Sequence, residues 1–149
     1  RHGPVELREP VPFVLGDPGV KLAIEAPVEF EGKTYDTVRV TFEDGTGDAS
    51  GDFYVMYFDQ QTRKVRGLRY IVTYKGFFPD GGHSPEKFMA YDGEQDIDGI
   101  KLPTTFRTFT WDGAKNGDLV TNTTLSEVTF QPDFSDFEVP KGGRVVEGY

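Results

Sequence analysis

Along most of this chain apolar and polar side chains alternate with a period of two, the repeat of a strand with one covered face. Val20, Leu22 and Ile24 alternate with Lys21, Ala23 and Glu25, and Val38, Val40 and Phe42 alternate with Arg39, Thr41 and Glu43. Pro27 interrupts the first of these runs, which resumes over Val28–Glu31 and reaches a hairpin turn at Gly32-Lys33. A third strand is predicted from Val65 to Lys75, with Leu68, Tyr70, Val72 and Tyr74 on one side and Arg69, Ile71, Thr73 and Lys75 on the other. Lys87–Gln95 reads as a weaker strand, and Asp98-Gly99 is a two-residue hairpin signal. It feeds a long strand, Lys101–Trp111, with Pro103 near its start, where a missing N–H does least harm. Asp112–Asp118 then turns the chain into a last strand, Leu119–Phe130. Helical periodicity is not sustained anywhere. Val11–Leu15 has room for one turn before Gly16-Asp17-Pro18-Gly19, and Ser84-Pro85-Glu86 opens like a helix with no length behind it.

One segment breaks the alternation. Phe53-Tyr54-Val55-Met56-Tyr57-Phe58 is apolar at both parities. A strand of this kind is covered on both faces, or has one face on the core and the other on a ligand cavity.

These runs make seven or eight strands, each followed closely by the next. Parallel pairing needs crossover helices, for which the connections are too short. The predicted fold class is therefore mainly β, an antiparallel meander that curls into an open half-barrel, folds into a sandwich or packs on helices outside the segment. The chain divides into an irregular lead-in (1–19), an antiparallel sheet (20–131) and a C-terminal tail (132–149). Its opening, Arg1-His2-Gly3-Pro4 followed by Pro10, Pro12 and Pro18, is neither a signal peptide nor a clean first strand, which suggests a segment of a longer protein.

Composition narrows the chemistry. The 149 residues include no cysteine, which excludes disulfides, thiolate catalysis and Cys-based zinc. The net charge of −9 opposes a nucleic-acid partner. No apolar run approaches the roughly 18 residues of a membrane-spanning helix. Thirteen Phe and seven Tyr, with 18 Gly and 10 Pro, fit strands joined by tight turns.

Catalytic and metal motifs do not assemble. Asp44, Thr46, Asp48, Ser50 and Asp52 place oxygens at alternate positions, but a calcium-binding loop needs Gly at its sixth position and Glu at its twelfth, where this chain has Ala49 and Val55. His2 and His83 lack the neighbours of a metal site or a triad. Trp111 and the tyrosines suit a sugar-stacking platform, and paired carboxylates among the 25 acids would be recognised only in space. A secreted β-sandwich that binds or cleaves carbohydrate is thus the alternative function, and a structural or interaction domain a third. No cofactor or metal is expected.

Three phrases in order point to a family. Asp59-Gln60-Gln61-Thr62-Arg63-Lys64-Val65 resembles the "D-x-x-T-x-x-(apolar)" hairpin of the LolA/LolB-like periplasmic lipoprotein carriers, Asp98-Gly99-Ile100-Lys101-Leu102-Pro103 resembles their "(D/N)-G-(apolar)-x-(apolar)-P" element, and Phe137-Glu138-Val139-Pro140 resembles their closing "F-x-x-P". The chain looks most like a domain-of-unknown-function group of bacterial envelope proteins in that superfamily. The resemblance implies an open half-barrel, the C-terminal part of a larger α+β domain, whose remaining strands and helices would precede Arg1. It implies a periplasmic or cell-envelope, non-catalytic protein that binds a lipid, a lipoprotein acyl chain or another apolar ligand. The expected cavity lining is Tyr54, Met56, Phe58, Tyr70, Val72, Tyr74 and Phe106.

Overall fold

The computed structural model describes residues 13–46, 49–130 and 141–143. Among the described residues a single turn of 3₁₀ helix, Phe13–Gly16, precedes nine strands: β1 (Val20–Phe30), β2 (Lys33–Phe42), β3 (Phe53–Asp59), β4 (Val65–Tyr70), β5 (Lys87–Asp92), β6 (Gln95–Ile97), β7 (Ile100–Leu102), β8 (Thr105–Trp111) and β9 (Asn116–Thr124). Seven form one antiparallel sheet in the order β1-β2-β3-β4-β5-β8-β9, while β6 and β7 stand apart as a small hairpin. The sheet is an open meander. Every neighbouring pair in the sheet is antiparallel, as short connections require.

The turns follow local chemistry. Glu31 and Gly32, with φ of 48° and 73°, form the two-residue turn between β1 and β2. Asp98 and Gly99, at 53° and 85°, do the same between β6 and β7. In the β3–β4 turn the Asp59 carboxylate accepts the backbone N–H groups of Gln61 (2.9 Å) and Thr62 (2.8 Å) and pairs with Lys33. These bonds hold Asp59 well below the usual carboxylate range, the Lys33 hydrogen bond contributing most.

Several predicted boundaries move, each for a hydrogen-bonding reason. The strand expected over Val65–Lys75 ends at Tyr70. Beyond it Val72 exchanges bonds with Ser84, and the Thr73 N–H turns to the Asp52 carboxylate at 2.6 Å. The strand expected over Lys101–Trp111 splits at Pro103, and the Thr104 N–H bonds to the Asp92 carbonyl instead. The last strand starts earlier and stops earlier than Leu119–Phe130, because Asp112 compresses the turn by accepting from Ala114 and Lys115, and Leu125 bonds back to Thr104. The sheet therefore ends at Thr124 rather than 131. The turn between β1 and β2 lies one residue before Gly32-Lys33. Residues 131–140, with the closing Phe137–Pro140 phrase, lie outside the described residues.

Pro27 sits where the β1–β2 register shifts, between Glu25 and Val28. Such a bulge bends an edge strand, and an edge is where proline is tolerated. The bend carries Phe30 over one face of the sheet. Its ring lies 4.7 Å from Phe88 on β5 and 6.1 Å from Phe109 on β8. In a flat sheet those strands would be about 19 and 24 Å from β1. The sheet curls, and the face bearing Phe30 is concave.

Strand β3 is covered on both sides. On the inner, concave face Val55 and Tyr57 pack with Phe30, Tyr35, Phe88 and Ala90; on the outer face Met56 and Phe58 pack with Val40. Leu15, on the 3₁₀ turn, packs against the outer group. Val55, Met56, Tyr57 and Phe58 are all buried, which accounts for the loss of alternation in this one strand.

Candidate functional site

Strand register determines which side chains meet on the outer face. One row runs Leu22, Val40, Tyr54, Tyr70, Lys87 and Thr110 from β1 to β8. The next runs Ile24, Val38, Met56, Leu68, Met89, Thr108 and Thr121. A third holds Phe58 opposite Val65, and Tyr91, Phe106 and Thr123 follow across β5, β8 and β9. Phe42 meets Tyr54 edge-on at 5.9 Å, and Tyr91 meets Phe106 edge-on at 5.3 Å.

The structure thus brings Tyr54, Met56, Phe58, Tyr70 and Phe106 onto one face, the outer one, so that they lie opposite the concave side rather than lining a cavity within it. Met56 and Phe58 are buried beneath the β1–β3 part of the outer face, whereas Tyr54, Tyr70 and Phe106 are half-buried, as are Leu68, Met89 and Tyr91. Val72 and Tyr74 do not join them. Both lie in the irregular stretch after β4, and Tyr74 is exposed against Phe77 at 5.6 Å.

Hydroxyls accumulate on this surface. Burial, followed by the charges of Tyr54 and Tyr70, pushes the Tyr91 phenol up to about 12. Burial also raises Tyr54, with Asp52 and Tyr70 adding to it, and raises Tyr70. The three phenols stay neutral across the ordinary pH range and combine apolar rings with polar tips.

The inner face is filled rather than hollow. Tyr57 and Phe88 rings lie 4.6 Å apart, and both residues are almost wholly buried, at 1% and 0% exposure. Arginines close it at either side. Arg107 grips Asp92 with two bonds (2.7 and 3.1 Å) and reaches Glu31 at 3.0 Å, while Arg66 meets Glu31 and Asp92, each at 2.9 Å. Arg66 is the extra residue of the bulge in β4, and its guanidinium stacks over Phe30 at 5.1 Å. The Arg107 hydrogen bond, more than any other contact, holds Asp92 below its ordinary value. On the other side Arg39 pairs with Glu25 and lies over Phe53 at 4.2 Å. Arg69 stacks on Trp111 at 4.6 Å, beside Glu25 and Glu86. The Arg69 Nε to Glu86 Oε1 approach is 3.0 Å but misaligned, so neither atom is hydrogen-bonded, and the buried Tyr57 hydroxyl nearby is also unpaired.

Other sequence candidates settle into structural roles. One face of the Trp111 ring is taken by Arg69, which weakens its use as a sugar platform. Asp52 spends its carboxylate on the Thr73 N–H and hydroxyl. His83 is exposed, with Nδ1 at 2.8 Å from the Ser84 carbonyl. Among the described residues no three His, Cys, Asp or Glu side chains gather as metal ligands, and no helix is long and apolar enough to cross a membrane.

Sequence reasoning missed Leu68, Lys87, Met89 and Tyr91, although the alternation of Lys87, Met89 and Tyr91 with Phe88, Ala90 and Asp92 contained the signal. No protein-family model matches the chain, and no curated protein or solved structure is significantly similar to it.

Proposed function

We propose that this chain is a non-catalytic binding domain of the bacterial cell envelope, a LolA-like half-barrel that holds a lipid, a lipoprotein acyl chain or another apolar ligand. The ligand lies on the tyrosine-bearing outer face, on the part spanned by β4, β5 and β8. The observation that carries this reading is the contrast between the two faces. The inner face is closed by its own rings and arginines, whereas Tyr54, Tyr70, Leu68, Met89, Tyr91 and Phe106 form a continuous half-exposed apolar surface. Rigid aromatic rings and adaptable methionine are the usual lining of apolar sites. The motif order from Asp59 to Pro103 supports the family reading. Two of its phrases form the β3–β4 and β6–β7 turns.

Titration with the neutral fluorescent probe N-phenylnaphthylamine tests this. Saturable enhancement is expected, weakened about tenfold or more (about 1.4 kcal/mol) in Tyr70→Ala, with folding checked by circular dichroism. Absence of saturation in the wild-type protein would remove the reading.

A further inference from the structure

Resting on that reading, we infer that the ligand is a long-chain carboxylate whose head group is held by Lys87. Among the described residues the half-buried cations are Arg39, Arg66, Arg69, Arg107 and Lys87. The four arginines all sit against carboxylates on the inner face. Among these half-buried cations Lys87 alone is without a carboxylate in salt-bridge range, in a chain where acids outnumber bases 25 to 16. A lysine whose stem is partly covered by the sheet presents its ammonium at a fixed place, where an anion that the fold itself does not supply would meet it.

Its position fits that role. Lys87 is directly opposite Tyr70 on β4 and Thr110 on β8, at one end of the half-exposed surface. Met89 and Tyr91 follow on the same side of β5, with Leu68 and Phe106 beside them. From Lys87 to Tyr91 the strand advances about 13 Å, room for an extended alkyl chain running along β5. Three acids from neighbouring elements lie close to this surface, and one of them, Asp118, bonds through its backbone N–H to the hydroxyl of Thr110, the residue paired with Lys87. Asp52 acts on Tyr54 from the β2–β3 loop and is held by Thr73, and Asp36 is engaged by Gln60 and Arg63. An anionic head with an apolar tail therefore matches both ends, while a neutral chain leaves the ammonium unanswered.

Affinity for dodecanoate and for dodecanol, measured by displacement of N-phenylnaphthylamine, decides the point. Wild-type protein should prefer dodecanoate, and the preference should shrink as salt rises. Lys87→Met keeps the apolar stem and should lose about tenfold for dodecanoate (about 1.4 kcal/mol) with dodecanol unchanged, and Lys87→Arg should restore the preference. Equal affinity for acid and alcohol in the wild type, or a Lys87→Met variant that binds dodecanoate normally, overturns the head-group assignment and leaves the apolar site standing. Failure of both ligands to displace a bound probe overturns it too. Failure of the probe itself to bind removes the underlying function as well.

Discussion

Phe30 and Phe88 are in ring contact at 4.7 Å although three strands lie between β1 and β5. That single contact requires the sheet to curl, and Tyr57, 4.6 Å from Phe88, fills the space beneath it. Aromatic pairs of this type contribute beyond the area they bury.

Replacing Phe88 with Ala should therefore cost about 3–5 kcal/mol, as should Phe30→Ala if its site cannot collapse. The double variant should fall short of additivity by about 0.5–1.5 kcal/mol, measured by urea unfolding. Strict additivity would mean that the rings do not meet in solution.

Gly67 faces inward on β4, opposite Ala90, and a Cβ there would collide with the Met89 carbonyl and come within 2.8 Å of the Phe88 ring. Gly67→Ala should destabilise the fold by about 1–3 kcal/mol, although alanine is the better intrinsic strand residue. An unchanged urea midpoint would show that β4 and β5 are not this close.

Arg107 clamps Asp92 with a two-point fork and reaches across to Glu31 in the turn of the first hairpin. Lysine carries the charge but not the fork, so Arg107→Lys should lose about 1–2 kcal/mol. Faster amide exchange in β1 near Phe30 should accompany the loss. A variant as stable as wild type would reduce the clamp to a surface pair.

Asp59 is held below its ordinary value in the folded state by Lys33 and the Gln61 and Thr62 amides. Its contribution is complete above the unfolded value of about 3.9 and is lost as pH falls toward the folded one. Stability followed from pH 6 to pH 2 should drop, and Asp59→Asn should lower the neutral plateau while flattening that limb. Parallel acid limbs in both proteins would assign the effect elsewhere.

Tyr91 shifts in the opposite direction. Its phenol is pushed up to about 12, so the folded state keeps a proton that the unfolded chain releases near pH 10. Its stabilisation is whole below pH 10 and disappears as pH rises toward 12. Ultraviolet titration of phenolate should show a late-ionising tyrosine that vanishes in Tyr91→Phe. If the variant and wild-type curves superimpose, Tyr91 is open to solvent.

The strands, their antiparallel order and the two-sided cover of Phe53–Phe58 were legible in the sequence, because a period of two and turn residues such as Asp98-Gly99 act over a few neighbouring residues. The common side of Tyr54, Met56, Phe58 and Tyr70 was not legible, because the register of the β3–β4 hairpin decides it and the bulge at Arg66 shifts that register. The break after Tyr70 was not legible, since it depends on Ser84 and Asp52 arriving from distant loops to take the Val72 and Thr73 backbone.

Tertiary structure alone decided which face is concave. Alternation marks two faces, and it does not say toward which one a sheet will curl. Arg39, Arg69 and Arg107 look in sequence like positions facing solvent, yet they lie on the inner face, stacked on Phe53, Trp111 and Phe109. The bend at Pro27 and the bulge at Arg66 bring distant aromatic rings together there, a long-range packing outcome that no local pattern encodes. The chain's own residues specify the strands, and the way those strands fold over one another leaves the opposite, tyrosine-bearing face half open.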